Sequence, residues 1–247
     1  MTSPWVKLFF ALFGKVEGLY DTRAGHVSPS VTSRAQIWKL PSAIEALALS
    51  GLVLTQVGYN CGTRGSIDTG EAAVVIGDGL VGQWTAQTLA WRGANVAMVG
   101  RHENRLRYFG DGPMRHTINA TQQDWKKAVH KLFPGGIQMG VDTVGNMQLL
   151  NDLFGVMQRD GHLVSAGFYG TEDQIAVQPL RYKELSIHLP SGATRPRMDK
   201  TIDLIAAGNL QTLPLVTHHF PAHQAAVAWR LIQSKSEPVL GVILDWE

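Results

Sequence analysis

The sequence predicts an α/β fold built on a doubly wound parallel sheet, and three observations carry the expectation. Short apolar runs alternate with amphipathic runs from residue 71 to residue 167, which demands crossover connections between parallel strands. The first run, residues 71–76 (EAAVVI), is a continuous Val/Ile stretch of the kind buried on both faces of a sheet. The six residues that follow, Gly77-Asp78-Gly79-Leu80-Val81-Gly82, stand between that strand and an amphipathic run, so the chain turns tightly from strand to helix there.

The elements follow in order. Residues 43–57 repeat apolar positions at helical spacing and lead into a polar, Gly-containing turn over 60–70. After the 71–76 strand come a helix over 83–92, a strand over 95–99, a short helix over 103–109 and a short strand over 116–119. A helix over 122–132 precedes a strand ending Val141-Asp142-Thr143-Val144-Gly145, then a helix over 147–158 and a strand over 162–167. Beyond these lie a strand over 185–189, a helix over 195–207 stopped by Gly208, and a terminal apolar strand over 239–246.

Composition narrows the partners. Net charge is +2, with charged residues at 17% and no block of like charge, so neither nucleic acid nor an acidic tail is expected. The single cysteine, Cys61, excludes an internal disulfide and a cysteine-rich zinc site, in keeping with a reducing cytoplasm. Residues 6–13 (VKLFFALF) are apolar but far short of the roughly 20 residues a bilayer requires, and without a convincing small-residue cleavage site they read as a buried strand or an exposed partner surface rather than a signal peptide. No membrane partner is expected.

The glycine loop is the strongest chemical signal. Gly77 permits the tight turn, Gly79 allows a pyrophosphate to approach the backbone, and Gly82 lets helix and strand pack closely. Asp78, Leu80 and Val81 complete the loop and the first turn of the helix, whose free amides and positive dipole end favour phosphate. The alternative is a Gly-rich turn of another α/β fold, including a methyltransferase. At the end of the second strand an acid would accept hydrogen bonds from ribose hydroxyls and repel a 2′-phosphate. Here the residues are Gly100, Arg101 and His102, with a guanidinium able to clamp a phosphate, so NADP(H) is expected over NAD(H). The missing acid also disfavours a methyltransferase.

With these residues in view, the chain resembles the medium-chain dehydrogenases/reductases, the zinc-type alcohol dehydrogenase-like superfamily, over roughly residues 28–247. The resemblance rests on GDGLVG, ANVAMVGRHENRL after it, VDTVGN at 141–146, GHLVSAGFYG at 161–170, LVTHHFPAHQAAVAW at 215–229 and VILDW at 242–246. It implies a Rossmann domain over 42–213, with a partial GroES-like second domain formed by a remnant at 1–41 and a returning segment at 214–247. It makes Val144, Gly145, Gly167 and Phe168 cofactor contacts, and makes residues 185–189 a sheet-extending strand that pairs across a homodimer. By the same resemblance the front of the GroES-like domain is absent. The family's zinc-ligand cysteine and Gly-His-Glu motif have no counterpart, and Cys61 lies too close to Gly77 to replace the later ligand, so no catalytic zinc is expected. Gly241 replaces a basic residue usual in the tail strand.

No residue stands out as a catalyst. Tyr169 follows the nicotinamide-side strand and could donate a hydrogen bond to a carbonyl substrate, or simply wall the site. His218, His219 and His223 have no acidic or cysteine partners nearby in sequence, so metal binding is not expected there. No GxSxG elbow supports hydrolase chemistry. The resulting expectation is a zinc-independent, NADP(H)-linked oxidoreductase moving hydride to or from a small carbonyl, alcohol or activated alkene. Two alternatives stand beside it. One is a nucleotide-binding protein without turnover, either a truncated remnant or a redox-sensing subunit. The other, suggested by GFYG and the LDW ending, is a bacteriochlorophyllide-type dehydrogenase.

Overall fold

The computed structural model describes Pro41 and residues 44–110, 112–234 and 236–246, which divide into two compact units. The first unit to consider is Val57–Ser191. Its sheet contains β1 (Ala72–Ile76), β2 (Asn95–Gly100), β3 (Arg115–Asn119), β4 (Ile137–Asp142), β5 (Met157–Ser165) and β6 (Ser186–His188). All are parallel, in the spatial order β3-β2-β1-β4-β5-β6. The order reverses between β1 and β4, and that switch point leaves a crevice beyond the carboxyl ends of the strands.

Strand alternation sends successive side chains to opposite faces and builds two apolar layers. On one face Val74, Ile76, Ala97, Val99 and Ile118 pack with Trp125 and Val129 of α4 (Trp125–Leu132) and with Leu150, Leu153 and Phe154 of α5 (Met147–Val156). On the other, Ala73, Val75, Val96, Met98, Met139 and Val141 pack with Ala86 and Leu89 of α2 (Leu80–Trp91), with Leu106 of α3 (Glu103–Leu106), and with Cys61 of α1 (Leu52–Gly62). The Asp124 carboxylate caps α4 by accepting from the amides of Lys126 and Lys127, and the Asn146 side chain caps α5 by accepting from Leu149.

Several boundaries differ from the sequence expectation. The 43–57 helix is instead a 3-10 turn, Ala46–Leu49, followed by α1, which runs on through the polar Asn60 to Gly62. Close packing on α2 explains the extension: a Cβ on Gly58 would lie 2.6 Å from the Trp84 Cβ, and one on Gly62 would lie 2.7 Å from the Thr88 Cβ. The β5 strand starts at Met157, directly after α5, with the positive-φ residue Asp160 inside it. A helix not expected from the sequence, α6 (Val177–Tyr182), buries only Leu180.

The second unit comprises residues 44–56 and 192–246. It contains α7 (Arg195–Ala206), β7 (Val216–Pro221), α8 (Ala225–Ser234) and β8 (Gly241–Asp245), with β7 and β8 paired in parallel. Thr212 Oγ1 donates to the Ala48 carbonyl at 2.6 Å, joining the two stretches. The β7 strand and α8 are not among the elements expected from the sequence; β7 is half-buried with polar histidines, and α8 buries only Ala228. The unit boundaries fall at 56/57 and 191/192, against 41/42 and 213/214 in the sequence reading. Residues 1–40, expected as the GroES-like remnant, lie outside the described residues. Among the described residues no helix is long and apolar enough to cross a membrane.

Candidate functional site

The sequence-predicted site residues of the Val57–Ser191 unit converge at the carboxyl ends of β1, β2, β4 and β5. The loop after β1 is fixed by its glycines. Gly77 has φ +118°, and a Cβ there would meet Thr143 Oγ1 at 2.2 Å. A Cβ on Gly82 would lie 2.0 Å from the Gly77 carbonyl oxygen. Gly79 differs: it has φ −78° and ψ 179°, no side-chain cap, and no atom within 4 Å of where its Cβ would stand. The open space therefore lies at the N-terminus of α2, where the first-turn amides have no intrahelical acceptor. A phosphate group fits this position on both sterics and charge.

The loops after β4 and β5 form the other wall. The buried Asp142 carboxylate accepts from the backbone amides of Val144, Gly145 and Asn146, at 2.9, 3.1 and 3.2 Å, and so folds the turn back on the strand. Gly145 has φ +80°, and a Cβ on it would lie 2.2 Å from the Phe168 carbonyl oxygen. A Cβ on Gly167 would lie 2.0 Å from the Gly145 nitrogen. The two glycines thus let the loops touch backbone to backbone. Val144 is 51% exposed and Phe168 is 83% exposed, leaving two apolar side chains open beside the loops.

Tyr169, which the sequence offers as either a donor to substrate or a wall of the site, has a defined partner within the fold. Its hydroxyl donates to Asp142, and burial together with that bond pushes the phenol well above its ordinary value. The hydroxyl proton is engaged in holding the turn. Tyr169 is a structural tie between the β4 and β5 loops.

The end of β2 holds an arrangement the sequence did not reveal. The Asp78 side chain, 7% exposed, turns from the glycine loop to the β2 tip, and its Oδ2 accepts from the Arg101 amide at 2.8 Å and the His102 amide at 2.9 Å. His102 Nδ1 lies 3.0 Å from Oδ2, and the Arg105 guanidinium 3.5 Å from Oδ1. Burial opposes ionisation here, but the two amides and His102 outweigh it and hold the carboxyl below its ordinary value. Gly100 is glycine for a steric reason, since a Cβ there would lie 2.5 Å from Asp78 Oδ2. The signal available in sequence was the acid inside GDG together with the glycine at the strand end.

Metal donors do not assemble among the described residues, where no group of three or more His, Cys, Asp or Glu could hold an ion. Cys61 is fully buried in the apolar layer, and burial pushes its thiol up to about 12, which makes it a poor thiolate ligand. His218 and His219 do have acidic neighbours, Glu237 and Asp245, each at 3.4 Å, brought near by the pairing of β7 with the region of β8. As successive residues of one strand the two histidines point to opposite faces and do not converge. Among the described residues these donors do not converge into a zinc site.

Comparison with known proteins agrees with the parallel sheet and the glycine loop at its switch point. A family model described as zinc-binding dehydrogenase matches residues 81–207, just over half of the chain. A 2-desacetyl-2-hydroxyethyl bacteriochlorophyllide A dehydrogenase of Rhodobacter capsulatus is 24% identical over 234 residues, 95% of this chain and 69% of that protein. An L-threonine 3-dehydrogenase of Legionella pneumophila is 26% identical over 180 residues, 72% of this chain and 52% of that protein. Among solved structures, the alcohol dehydrogenase TADH of Thermus sp. ATN1 superimposes with a TM-score of 0.77 at 21% identity, covering 85% of this chain and 62% of that one. The chain therefore spans from about half to about two thirds of the length of these proteins. The family match, together with the Rossmann order of the sheet and the glycine loop at its switch point, establishes that the chain belongs to the zinc-binding dehydrogenase family of the medium-chain dehydrogenases/reductases.

Proposed function

We propose that the protein is an NAD(P)-dependent oxidoreductase that works without zinc, moving hydride between a nicotinamide dinucleotide and a small carbonyl, alcohol or activated alkene. The observation that carries the reading is the open space over Gly79 at the N-terminus of α2, in a loop otherwise closed by Gly77, Gly82 and Thr143. Leu80, Val81 and Gly82 would present amides to the pyrophosphate, and Val144, Gly145, Gly167 and Phe168 would border the adenosine and nicotinamide ends. When bound, the dinucleotide supplies the hydride chemistry, and the chain's own residues bind and orient it. For the choice between dinucleotides, the exposed Arg101 favours the 2′-phosphorylated form expected from the sequence, and the buried Asp78 carboxylate beside it opposes that form.

A cytoplasmic homodimer is part of the same proposal. The edge strand β6 is followed by Leu189, 74% exposed, and preceded by Tyr182, 72% exposed, so pairing of two edges would cover apolar surface. A large planar substrate is the second reading, supported by the similarity to the bacteriochlorophyllide dehydrogenase over nearly the whole chain. A dinucleotide-binding protein without turnover is the third, supported by the absence of an assigned proton donor once Tyr169 is engaged.

The test is a fluorescence titration with NADH and NADPH, with Gly79→Asp as control. Binding of either at micromolar concentration, lost in the variant, is expected and would lead to substrate panels of carbonyls, alkenes and porphyrin-like compounds. Failure of both to bind would refute the proposal.

A further inference from the structure

We propose that Asp78 is the cofactor-selecting residue of this chain: its carboxylate fills the anion nest at the tip of β2, so the site prefers the dinucleotide with a free adenosine-ribose 2′-hydroxyl. This rests on the dinucleotide-binding reading above and runs against the NADP(H) preference expected from Gly100 and Arg101. Gly100 lacks a side chain, but the space it leaves is occupied, because the Asp78 Oδ2 and Cβ atoms lie 2.5 and 2.6 Å from where a Cβ would be. The acid absent from the strand end is supplied by the glycine loop, from a position 22 residues earlier in the chain.

The donors tell the same story. A site that selects a 2′-phosphate needs backbone amides and a cationic side chain aimed at a dianion. Both amides, those of Arg101 and His102, already point at Asp78 Oδ2, at 2.8 and 2.9 Å. Arg105 and the His102 ring lie against the same carboxylate, so the cations closest to it are offset by its charge. The charged groups at this corner are then Asp78 and Glu103 against Arg101 and Arg105, with His102 adding charge only when protonated. A phosphate dianion brought here would face a buried carboxylate and would find its amide donors spent. A ribose hydroxyl meets a better match, since it donates to a carboxylate rather than competing with it, and Oδ1 has only the longer contacts, at 3.1 Å to His102 and 3.5 Å to Arg105.

The experiment measures dissociation constants for NADH and NADPH, by cofactor fluorescence, in the full chain and in Asp78→Ser, Asp78→Asn and Arg101→Ala variants. The natural chain is expected to favour NADH by about tenfold or more, and Asp78→Ser to move the ratio toward NADPH by at least about tenfold. Asp78→Asn keeps the shape of the side chain and removes its charge, so it provides the ratio if the serine variant does not fold, as judged by circular dichroism. Arg101→Ala is expected to change the ratio of the natural chain by less than about threefold. A natural preference for NADPH, or an unchanged ratio in a folded Asp78 variant, overturns the inference while leaving dinucleotide binding intact. Binding of neither cofactor overturns both.

Discussion

Gly79 and Gly82 are three residues apart in one loop, and an added methyl group should have opposite consequences at the two positions. On Gly82 it would lie 2.0 Å from the Gly77 carbonyl oxygen, 2.9 Å from the Gly77 carbonyl carbon and 3.2 Å from Thr143 Oγ1. The first two are backbone atoms, so relief requires moving α2 away from β1 or reshaping the turn. Overpacking of a tight core costs about 1–3 kcal/mol, and a collision with backbone belongs at or above the upper end. At about 3 kcal/mol the melting temperature should fall by roughly 6–12 °C for a chain of this size. On Gly79 the methyl meets no atom within 4 Å, and φ −78° with ψ 179° suits alanine. The loss of a favourable N-cap, up to about 1 kcal/mol, is offset by the reduced entropy of the unfolded chain, about 0.4–1 kcal/mol. Stability should then be unchanged within about 1 kcal/mol, while the methyl intrudes where a pyrophosphate would lie and weakens dinucleotide binding by about tenfold or more. Thermal melts and cofactor titrations on Gly79→Ala and Gly82→Ala test this together. Equal destabilisation by the two variants, or wild-type cofactor affinity in Gly79→Ala, would refute the reasoning.

Three further outcomes are expected. Tyr169→Phe removes one donor from the buried Asp142 and should cost about 1–3 kcal/mol in urea denaturation; a large loss of turnover at unchanged stability would restore Tyr169 as a proton donor. His162 and His188 lie 3.1 Å apart through Nδ1 and Nε2, and both are held below 6.5. Burial is the main cause for each, with Arg92 adding to it and Glu71 opposing it at His162, and with His162 and Arg64 adding to it at His188. The unfolded chain therefore binds more protons, and the associated stability is present above pH 6.5 and lost as pH falls below it through the folded values. Urea midpoints should drop between pH 7.5 and 5.5, and His188→Gln should flatten the drop; an identical slope in the variant would count against the pair. Cys61, fully buried with its thiol pushed up to about 12, should resist a thiol reagent in the folded protein and react in denaturant; fast labelling of the native chain would contradict its placement.

The parallel sheet was legible because its strands are continuous apolar runs and its switch-point loop is written in glycines. The central strands need no partner outside the Val57–Ser191 unit to read as buried, and β1 and β2 match their expected runs to within a residue. Elements at the periphery were harder. The α6 helix buries one residue and β7 carries two adjacent histidines, so neither has a periodic apolar face to announce it, while α8 has apolar residues at helical spacing but buries only Ala228 and turns Trp229 and Val227 to the surface. The end of α1 was misplaced for another reason: the polar stretch from Asn60 reads as a turn in sequence, whereas in the fold the helix continues to Gly62 and packs against α2 through Gly58 and Gly62.

By itself, then, the sequence determined the α/β class, the order of the central elements and the glycine loop that a phosphate would approach, because burial periodicity and backbone sterics are local properties of the chain. Only the tertiary structure decided what the polar side chains do. It turned Asp78 to the tip of β2, engaged the Tyr169 hydroxyl with Asp142, and set Glu237 and Asp245 beside His218 and His219. Hydrogen bonds and ion pairs act over about 3 Å. Their partners lie up to 27 residues apart in these cases, a separation that leaves no periodic trace in the sequence.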